Sequence, residues 1–185
     1  MTMKAAAKVD EQKRYEIQQV AIPEPAPTQA LVKVKAIGLC GSDIAIRNNT
    51  FMGRHGPVKL PIIPGHEFVG EVIAVGSQVH RVKVGDRVVS SCLVGCGECY
   101  HCKVGILNRC RSWDHIGIDS PGCFAEYIAA DQAMLFQIPE FVPDNEAAVF
   151  ELCTTASRAI RTNDITPGST IAMFGPGPFG LFIMQ

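Results

Sequence analysis

Four closely spaced cysteines constrain this chain more than any other feature of its sequence. They follow the pattern Cys96-x2-Cys99-x2-Cys102-x7-Cys110. Four thiolates at such short spacing can close around one tetrahedral Zn²⁺ at little loop-closure cost, and a shell of four sulfurs leaves no position open for a substrate. The pattern therefore predicts a structural zinc. An iron–sulfur cluster also takes four cysteines, so the spacing leaves that metal as an alternative.

The composition is that of an ordinary globular protein, and it narrows the choice of partners. Of the 185 residues, 47% are hydrophobic and 19% are charged, and the net charge is −1. A charge so near zero gives no long-range attraction to a polyanion, which argues against nucleic acid and anionic membranes as partners. We find no run typical of a signal peptide or a membrane span, so the sequence predicts a cytoplasmic protein, in which disulfides are disfavoured.

Hydrophobic patterning predicts β structure over much of the chain. Apolar and polar side chains alternate over residues 14–20 and 31–37, residues 69–75 and 87–90 are rich in valine and isoleucine, and strand-like patterning resumes over 124–129. Three prolines, at positions 23, 25 and 27, exclude a central strand there, and Gly85-Asp86 predicts a tight turn. The pattern is typical of a barrel or sandwich interrupted by glycine and proline.

The pattern becomes helical after Pro143 and stays so towards Arg161. A short strand is then predicted over residues 171–174, followed by a turn with Gly175, Gly177 and Gly180 and by a final apolar stretch. A strand followed by such glycines is how a parallel nucleotide-binding sheet begins. Because only its first strand is present, we interpret the sequence as a truncated one and expect residues 173–184 to expose an apolar surface.

A second group of potential metal ligands lies in two short motifs. Cys40-Gly41-Ser42-Asp43 and Gly65-His66-Glu67 supply a thiolate, an imidazole and carboxylates. Alone, Cys40 is typical of a small buried residue and His66 of a hydrogen-bonded loop histidine. Together, they form the ligand mix of a catalytic zinc with an open fourth position.

These motifs resemble the signature of the zinc-containing alcohol dehydrogenases, in the medium-chain dehydrogenase/reductase superfamily. The resemblance rests on Gly65-His66-Glu67-Phe68-Val69-Gly70, on Cys40-Gly-Ser-Asp, on the four-cysteine lobe, on residues 84–88 and 124–127, and on the terminal glycines, in the family's order. It implies a mainly β fold with some α: a GroES-like catalytic domain, a partly open β-barrel, over residues 1–150, with a structural-zinc lobe at 92–111. Residues 151–185 would be a linking helix and the start of a Rossmann coenzyme domain.

The resemblance also implies roles for individual residues. Cys40 and His66 match the family's catalytic zinc ligands, and Glu67 matches a carboxylate that serves as a ligand or as a neighbour of the metal. Asp43 matches the acid that hydrogen-bonds the ligating histidine. Glu151 matches the remaining ligand of the polyol and threonine dehydrogenase branch.

Cys153 is the alternative to Glu151 as the remaining ligand, although a buried helix thiol is its simpler interpretation. The assignment to the polyol and threonine branch depends on Glu151 and on the run from Gly122 to Tyr127.

Proton transfer is where the sequence departs from the family. Ser42 resembles the hydroxyl that takes the alcohol's proton, and its other interpretation is a helix N-cap. Many members place a histidine five residues after the ligating cysteine, where this chain has Ala45. Water or another group such as His55 would have to replace it.

The coenzyme residues implied by the resemblance are Gly175, Gly177 and Gly180 at the pyrophosphate and Thr155 near the nicotinamide ring. The acidic residue that distinguishes NAD from NADP falls beyond residue 185, so the sequence leaves both open. We expect the 185-residue chain to bind no dinucleotide tightly.

The leading hypothesis is a zinc-dependent oxidoreductase that transfers hydride between an alcohol, either a secondary alcohol or a polyol, and NAD(P), with zinc activating the alcohol oxygen. The alternative is a zinc-binding GroES-like module that is inactive without its coenzyme domain. A zinc-free reductase would lack Cys40, His66 and the four lobe cysteines. A small alcohol is the expected substrate, and homo-oligomers are a possibility through the coenzyme domain.

Overall fold

The computed structural model describes residues 1–53 and 56–185. The chain begins with an antiparallel hairpin of two strands, β1 (Thr2–Ala7) and β2 (Glu16–Ala21), with Thr2 opposite Ala21. Alternate residues of β1 are buried, and β1 has no counterpart among the predicted strands. Because β1 contains three alanines in a row after a lysine, its hydrophobicity does not show the alternation of buried and exposed residues.

The centre of the fold is an antiparallel sheet of five strands. They are β3 (Gln29–Ile37), β6 (Phe68–Val75), β7 (Arg87–Ser90), β10 (Tyr127–Asp131) and β11 (Leu135–Gln137), in the order β10-β3-β6-β7-β11. The predicted strands at 31–37, 69–75 and 87–90 are confirmed. Within the described residues the two edge strands do not pair with each other, so the sheet is open and does not close into a barrel.

Buried apolar side chains hold this sheet against the loops that cross it. Val32, Phe68, Val72, Val88 and Ile128 are each at most 2% exposed and belong to one cluster. Burial of a side chain of this size stabilises a fold by roughly 1.5–3 kcal/mol. The cluster fixes the ends of β3 and β6, where the metal-ligand motifs lie.

The turn at Gly85 and the strand predicted over residues 124–129 flank the sheet. The turn at Gly85 forms with a φ of 91°, as the sequence predicts. The predicted strand at 124–129 instead starts at Tyr127 and runs to Asp131. Phe124 and Ala125 pair elsewhere, because the Phe124 carbonyl accepts a hydrogen bond from the Ala6 amide at 2.7 Å and Ala125 bridges to Ala5.

Short strand pairs and helices lie outside the five-stranded sheet. The remaining strands are two-residue pairs, β4 (Met52–Gly53) with β5 (Gly56–Pro57) and β8 (Leu93–Val94) with β9 (Asp114–His115). The helices are α1 (Gly41–Arg47), α2 (Tyr100–Lys103), α3 (Asp144–Ala147), α4 (Glu151–Thr162) and α5 (Pro178–Met184). The helical stretch predicted after Pro143 is confirmed as two helices, α3 and α4.

The strand predicted over residues 171–174 is wrong. The structure gives these residues no regular secondary structure, and Phe174 is 96% exposed. A strand is stable only when its backbone groups pair with a neighbouring strand, and no strand of the described chain lies beside this segment. The apolar pattern of residues 171–174 therefore favours a strand, but no strand forms there.

No helix in the described ranges combines the length and the apolar character needed to cross a bilayer.

Candidate active site

Cys40 lies between the end of β3 and the start of α1, and the first turn of that helix fixes it. The Cys40 amide donates to Asp43 Oδ2 at 2.9 Å, and the Asp43 amide donates to the Cys40 carbonyl at 3.1 Å. Cys40 is therefore the N-cap of α1, and the interpretation of Ser42 as the cap is wrong because Asp43 already satisfies that end. The Ser42 hydroxyl is buried and has no hydrogen-bond partner in the described structure.

His66 and Glu67 lie immediately before β6. Gly65 precedes them with a φ of 93°, and a Cβ there would lie 2.3 Å from the Phe124 ring, so a side chain at this position is excluded. The Ser90 hydroxyl donates to the His66 carbonyl at 3.3 Å, and the Cys123 thiol donates to the Glu67 carbonyl at 3.5 Å. These contacts hold the backbone of the motif against the sheet.

The structure brings three of the predicted ligands together. One donor atom each of Cys40, His66 and Glu67 lies within 4.8 Å of the other two, and the His66 and Glu67 side chains are only 5% and 2% exposed. The His66 imidazole lowers the pKa of the Cys40 thiol, and burial raises the pKa of the Glu67 carboxyl. Because metals bind the thiolate, a lowered thiol pKa suits Cys40 to a ligand role.

Gly38 makes room for the Glu67 side chain. A Cβ at position 38 would lie 2.2 Å from Glu67 Oε2 and 2.9 Å from Glu67 Cβ. The Gly38 amide also donates to the Glu67 carbonyl at 2.9 Å. The sequence analysis missed Gly38, whose role depends on the packing of β3 beside β6.

The predicted hydrogen bond between Asp43 and His66 is not formed. Asp43 Oδ1 and His66 Nδ1 are both buried and lack a hydrogen-bond partner among the described residues. Unpaired buried polar atoms are costly, so each calls for a partner that the protein part of the site does not supply.

Glu151 begins α4 and faces the same site from a greater distance. It is not one of the three residues whose donor atoms converge. Its Oε1 instead accepts a hydrogen bond from the Cys92 thiol at 3.2 Å, and its charge acts on His66 and Glu67. Cys153 lines a small cavity together with Phe182 of α5.

Two aromatic residues beside the ligands were missed by the sequence analysis. The His115 ring lies edge-to-face on His66, with centroids 4.9 Å apart, and the Trp113 ring lies 5.8 Å from His115. Burial lowers the pKa of His115. No local motif marks these residues, because the pairing of β8 with β9 brings them to the site.

The four lobe cysteines also converge. The sulfurs of Cys96, Cys99, Cys102 and Cys110 all lie within 4.8 Å of one another, as a single tetrahedral metal ion requires. The Cys96 and Ser112 amides donate to Cys110 Sγ, and the Cys99 amide donates to Cys96 Sγ, each at 3.4 Å. Backbone amides of Cys99 and Glu98 lower the pKa of Cys96 to about 6, which favours its thiolate.

Of the predicted coenzyme residues, Gly175, Gly177 and Thr155 are exposed, whereas Gly180 is buried. Gly175 has a φ of 85°, Gly177 caps α5, and a Cβ at Gly180 would lie 2.9 Å from the Gly175 carbonyl oxygen. The structure forms the glycine turn and the start of the helix, but not the strand that precedes them in a phosphate-binding loop. Thr155 is exposed on α4, so it does not face the core.

The open antiparallel sheet, the thiolate–imidazole–carboxylate cluster and the four-cysteine lobe together define a domain type. Residues 26–140 match the alcohol dehydrogenase GroES-like domain. The chain belongs to this family, the zinc-containing alcohol dehydrogenases of the medium-chain superfamily.

Curated relatives include L-threonine 3-dehydrogenases from Chelativorans sp. (strain BNC1), 36% identical, and Escherichia coli (strain K12), 32% identical, each over 179 residues. Each comparison covers 97% of this chain and 52% of the relative, so the chain spans about half the length of the curated relatives it matches.

Several solved structures of dehydrogenases are also similar to this chain over about half of their own length. Galactitol-1-phosphate dehydrogenase from Escherichia coli has a TM-score of 0.89 at 30% identity, covering 98% of this chain and 51% of that one. An alcohol dehydrogenase from E. coli CFT073 complexed with NADH has a TM-score of 0.89 at 34% identity, covering 98% and 52%. A Sinorhizobium meliloti 1021 protein assigned as a zinc-binding dehydrogenase and bound to NADP has a TM-score of 0.89 at 33% identity, covering 99% and 52%.

Proposed function

We propose that the chain carries the substrate and zinc half of an oxidoreductase that transfers hydride between a secondary alcohol or polyol and NAD(P). The observation that carries the proposal is the convergence of Cys40, His66 and Glu67 within 4.8 Å, beside a separate four-cysteine lobe. In this proposal residues 1–150 form the catalytic domain, with its lobe at 92–111, and residues 151–185 lead into the coenzyme domain.

The residues present fit two zinc ions. Cys40, His66 and Glu67 would hold the catalytic zinc, and Cys96, Cys99, Cys102 and Cys110 would hold the structural one. Thiolate, imidazole and carboxylate are ligands that zinc takes in open catalytic sites, whereas four thiolates form a closed site. The catalytic zinc supplies a Lewis acid for the alcohol oxygen. Glu151, held by the Cys92 thiol, is the candidate for the remaining ligand.

Two further residues would handle the proton and the geometry. The Ser42 hydroxyl is buried beside Cys40, where it would accept a hydrogen bond from an alcohol and take up its proton while passing its own proton on to water or another relay group. Asp43 would position His66 through its unpaired Oδ1. At the family's relay position the chain has Ala45, and His55, a possible substitute, lies outside the described residues.

The coenzyme would bind through Gly175, Gly177 and Gly180, with Thr155 on the neighbouring helix. Relatives bound to NADH and to NADP support a nicotinamide dinucleotide without choosing between the two. We expect weak dinucleotide binding by the 185-residue chain, because the strand that would support the glycine turn is not formed.

Zinc content per chain tests the proposal. Elemental analysis of the wild type should give two zinc ions, and Cys40→Ser should give one, because a hydroxyl is a poor replacement for a thiolate ligand. Cys153→Ser is the matched control and should keep both, since Cys153 faces α5.

One zinc ion in the wild type, unchanged by Cys40→Ser, would refute the catalytic site and leave a non-catalytic zinc module as the function. If two ions are bound, reduction of NAD or NADP by a secondary alcohol, measured with this chain joined to a complete coenzyme domain, completes the test.

A further inference from the structure

A cavity of about 430 Å³ lies between the N-terminal hairpin and β10. Met3 and Val20, which pair with each other in the hairpin, line one side of it, and all five residues of β10 (Tyr127–Asp131) line the other. None of the residues of the two metal clusters lines this edge cavity. Small-molecule sites in proteins have volumes of about 300–1,000 Å³, so the edge cavity is large enough for a ligand.

The edge cavity forms because β1 and β10 separate. β1 runs beside the segment that precedes β10, where Ala5 bridges to Ala125 and the Glu126 amide donates to the Lys4 carbonyl at 3.2 Å. Among the described strands, β1 pairs only with β2 and β10 pairs only with β3, so beyond these contacts a wedge opens between them. An extended peptide running along β10 would meet β1 at the closed end of the wedge. The shape therefore favours a small molecule.

The inner surface of the edge cavity is apolar. Ile128, Ala130 and Met134 line it, belong to the main core cluster and are each at most 2% exposed. The backbone of β10 adds polar groups, because the amides and carbonyls of successive residues in a strand point to opposite edges. Two or three residues of β10 thus direct theirs to the free edge that borders the cavity. A ligand there meets an apolar surface and backbone acceptors together.

The charged side chains around the edge cavity are all acidic. They are Glu24, Asp114 and Asp131, and no lysine or arginine lines the cavity. Asp114 accepts a hydrogen bond from the Ser120 hydroxyl at 2.5 Å. Asp131 accepts one from the Thr28 hydroxyl at 2.7 Å. None of the three carboxylates forms an ion pair with a residue of the described ranges, so together they attract a cation and repel an anion.

We propose that the edge cavity binds a small primary amine with an apolar body, its ammonium group at the carboxylates and its body against β10 and the core. An ammonium group has three N–H donors and no acceptor, which matches carboxylate and carbonyl oxygens. A carboxylate or phosphate group would meet only charge of its own sign. The inference does not depend on the proposed function, because the cavity shares no residue with the metal clusters.

Three aromatic compounds of similar size and different charge test the proposal. They are 2-phenylethylamine, 2-phenylethanol and 3-phenylpropanoate, which at neutral pH are a cation, a neutral molecule and an anion. In calorimetry the amine should bind about tenfold more tightly than the alcohol, and the carboxylate should not bind. In NMR spectra the amine should shift the amide signals of β10. Since an amine nitrogen is also a potential zinc ligand, Cys40→Ser should bind the amine as the wild type does.

Substitutions separate the charge of the edge cavity from its shape. The double variant Glu24→Gln and Asp131→Asn removes two charges without changing the size of the side chains, so the affinity for the amine should fall to that for the alcohol. Glu140→Gln is the matched control, because Glu140 is exposed and does not line the cavity. Ala129→Phe places a ring in the wedge and should abolish binding of both compounds.

Equal affinity for the amine and the alcohol would overturn the inference, as would amine binding that survives the double variant. Amine binding that shifts no amide signal of β10, or that Cys40→Ser abolishes, would place the ligand elsewhere and would also overturn it. No binding of the amine would show that the cavity is not a ligand site.

Discussion

At the scale of single residues, the ligand cluster depends on a glycine that donates no ligand. Gly38 lies where any side chain would collide with the Glu67 carboxylate and with its Cβ. Glu67 is only 2% exposed, so its side chain is packed against the protein where it meets Gly38. The position of the Glu67 side chain therefore depends on the absence of a side chain at position 38, directly after β3.

We predict that Gly38→Ala lowers the bound zinc from two ions per chain to about one. The added methyl group displaces Glu67 from Cys40 and His66, while the lobe is untouched, and overpacking of this kind costs about 1–3 kcal/mol of stability. Elemental analysis and urea unfolding measure both effects. Gly41→Ala is the control, since a Cβ there meets no atom within 4 Å. Full zinc content in Gly38→Ala would contradict the prediction.

At the scale of elements, the lobe differs from the sheet in what stabilises it. Its helix α2 has only four residues, none of them buried. A helix of this length is unstable without tertiary support. A sheet of several strands with one buried face is stable by comparison. Gly95 closes the lobe tightly, because a Cβ there would lie 2.7 Å from Cys102 Sγ. The metal is thus expected to be the main organiser of this element.

Removal of zinc by a chelator should therefore unfold the lobe and leave the sheet intact. In hydrogen exchange, amides of residues 96–110 should lose protection, while those of β3 and β6 keep it as an internal reference. Simultaneous loss of protection in both regions would mean that the metal stabilises the whole domain and not the lobe alone.

At the scale of the whole molecule, helix α5 and the segment before it leave apolar side chains in solvent. Phe174, Leu181 and Met184 are all exposed, as expected for residues 173–184, and α4 contributes only Ala156 to the interior. Exposed apolar groups clustered in one region favour association with other surfaces.

The 185-residue chain should accordingly self-associate as its concentration rises, and Leu181→Glu should shift the chain towards the monomer. Light scattering measures the mass directly. Phe141→Glu provides the control, because Phe141 is 85% exposed but lies outside this segment and should not affect association. A clean monomer at all concentrations would refute the expectation.

The sequence by itself determined the features that depend on residues close together along the chain. Four cysteines within one short segment predict the lobe, because a metal ion needs only their proximity. Alternation predicts β3, and richness in valine and isoleucine predicts β6 and β7. The two short motifs predict Cys40 and His66 in one cluster with Glu67. In each case the residues that matter are close in sequence or belong to one specific motif.

Only the tertiary structure decided the features that depend on residues far apart in the chain. The hydrogen bond of Cys92 to Glu151, the ring of His115 against His66 and the space that Gly38 leaves for Glu67 all join separate elements. The same reason explains the missing strand at residues 171–174. Backbone pairing requires a partner strand, and the apolar pattern of one segment carries no information on whether that partner lies beside it.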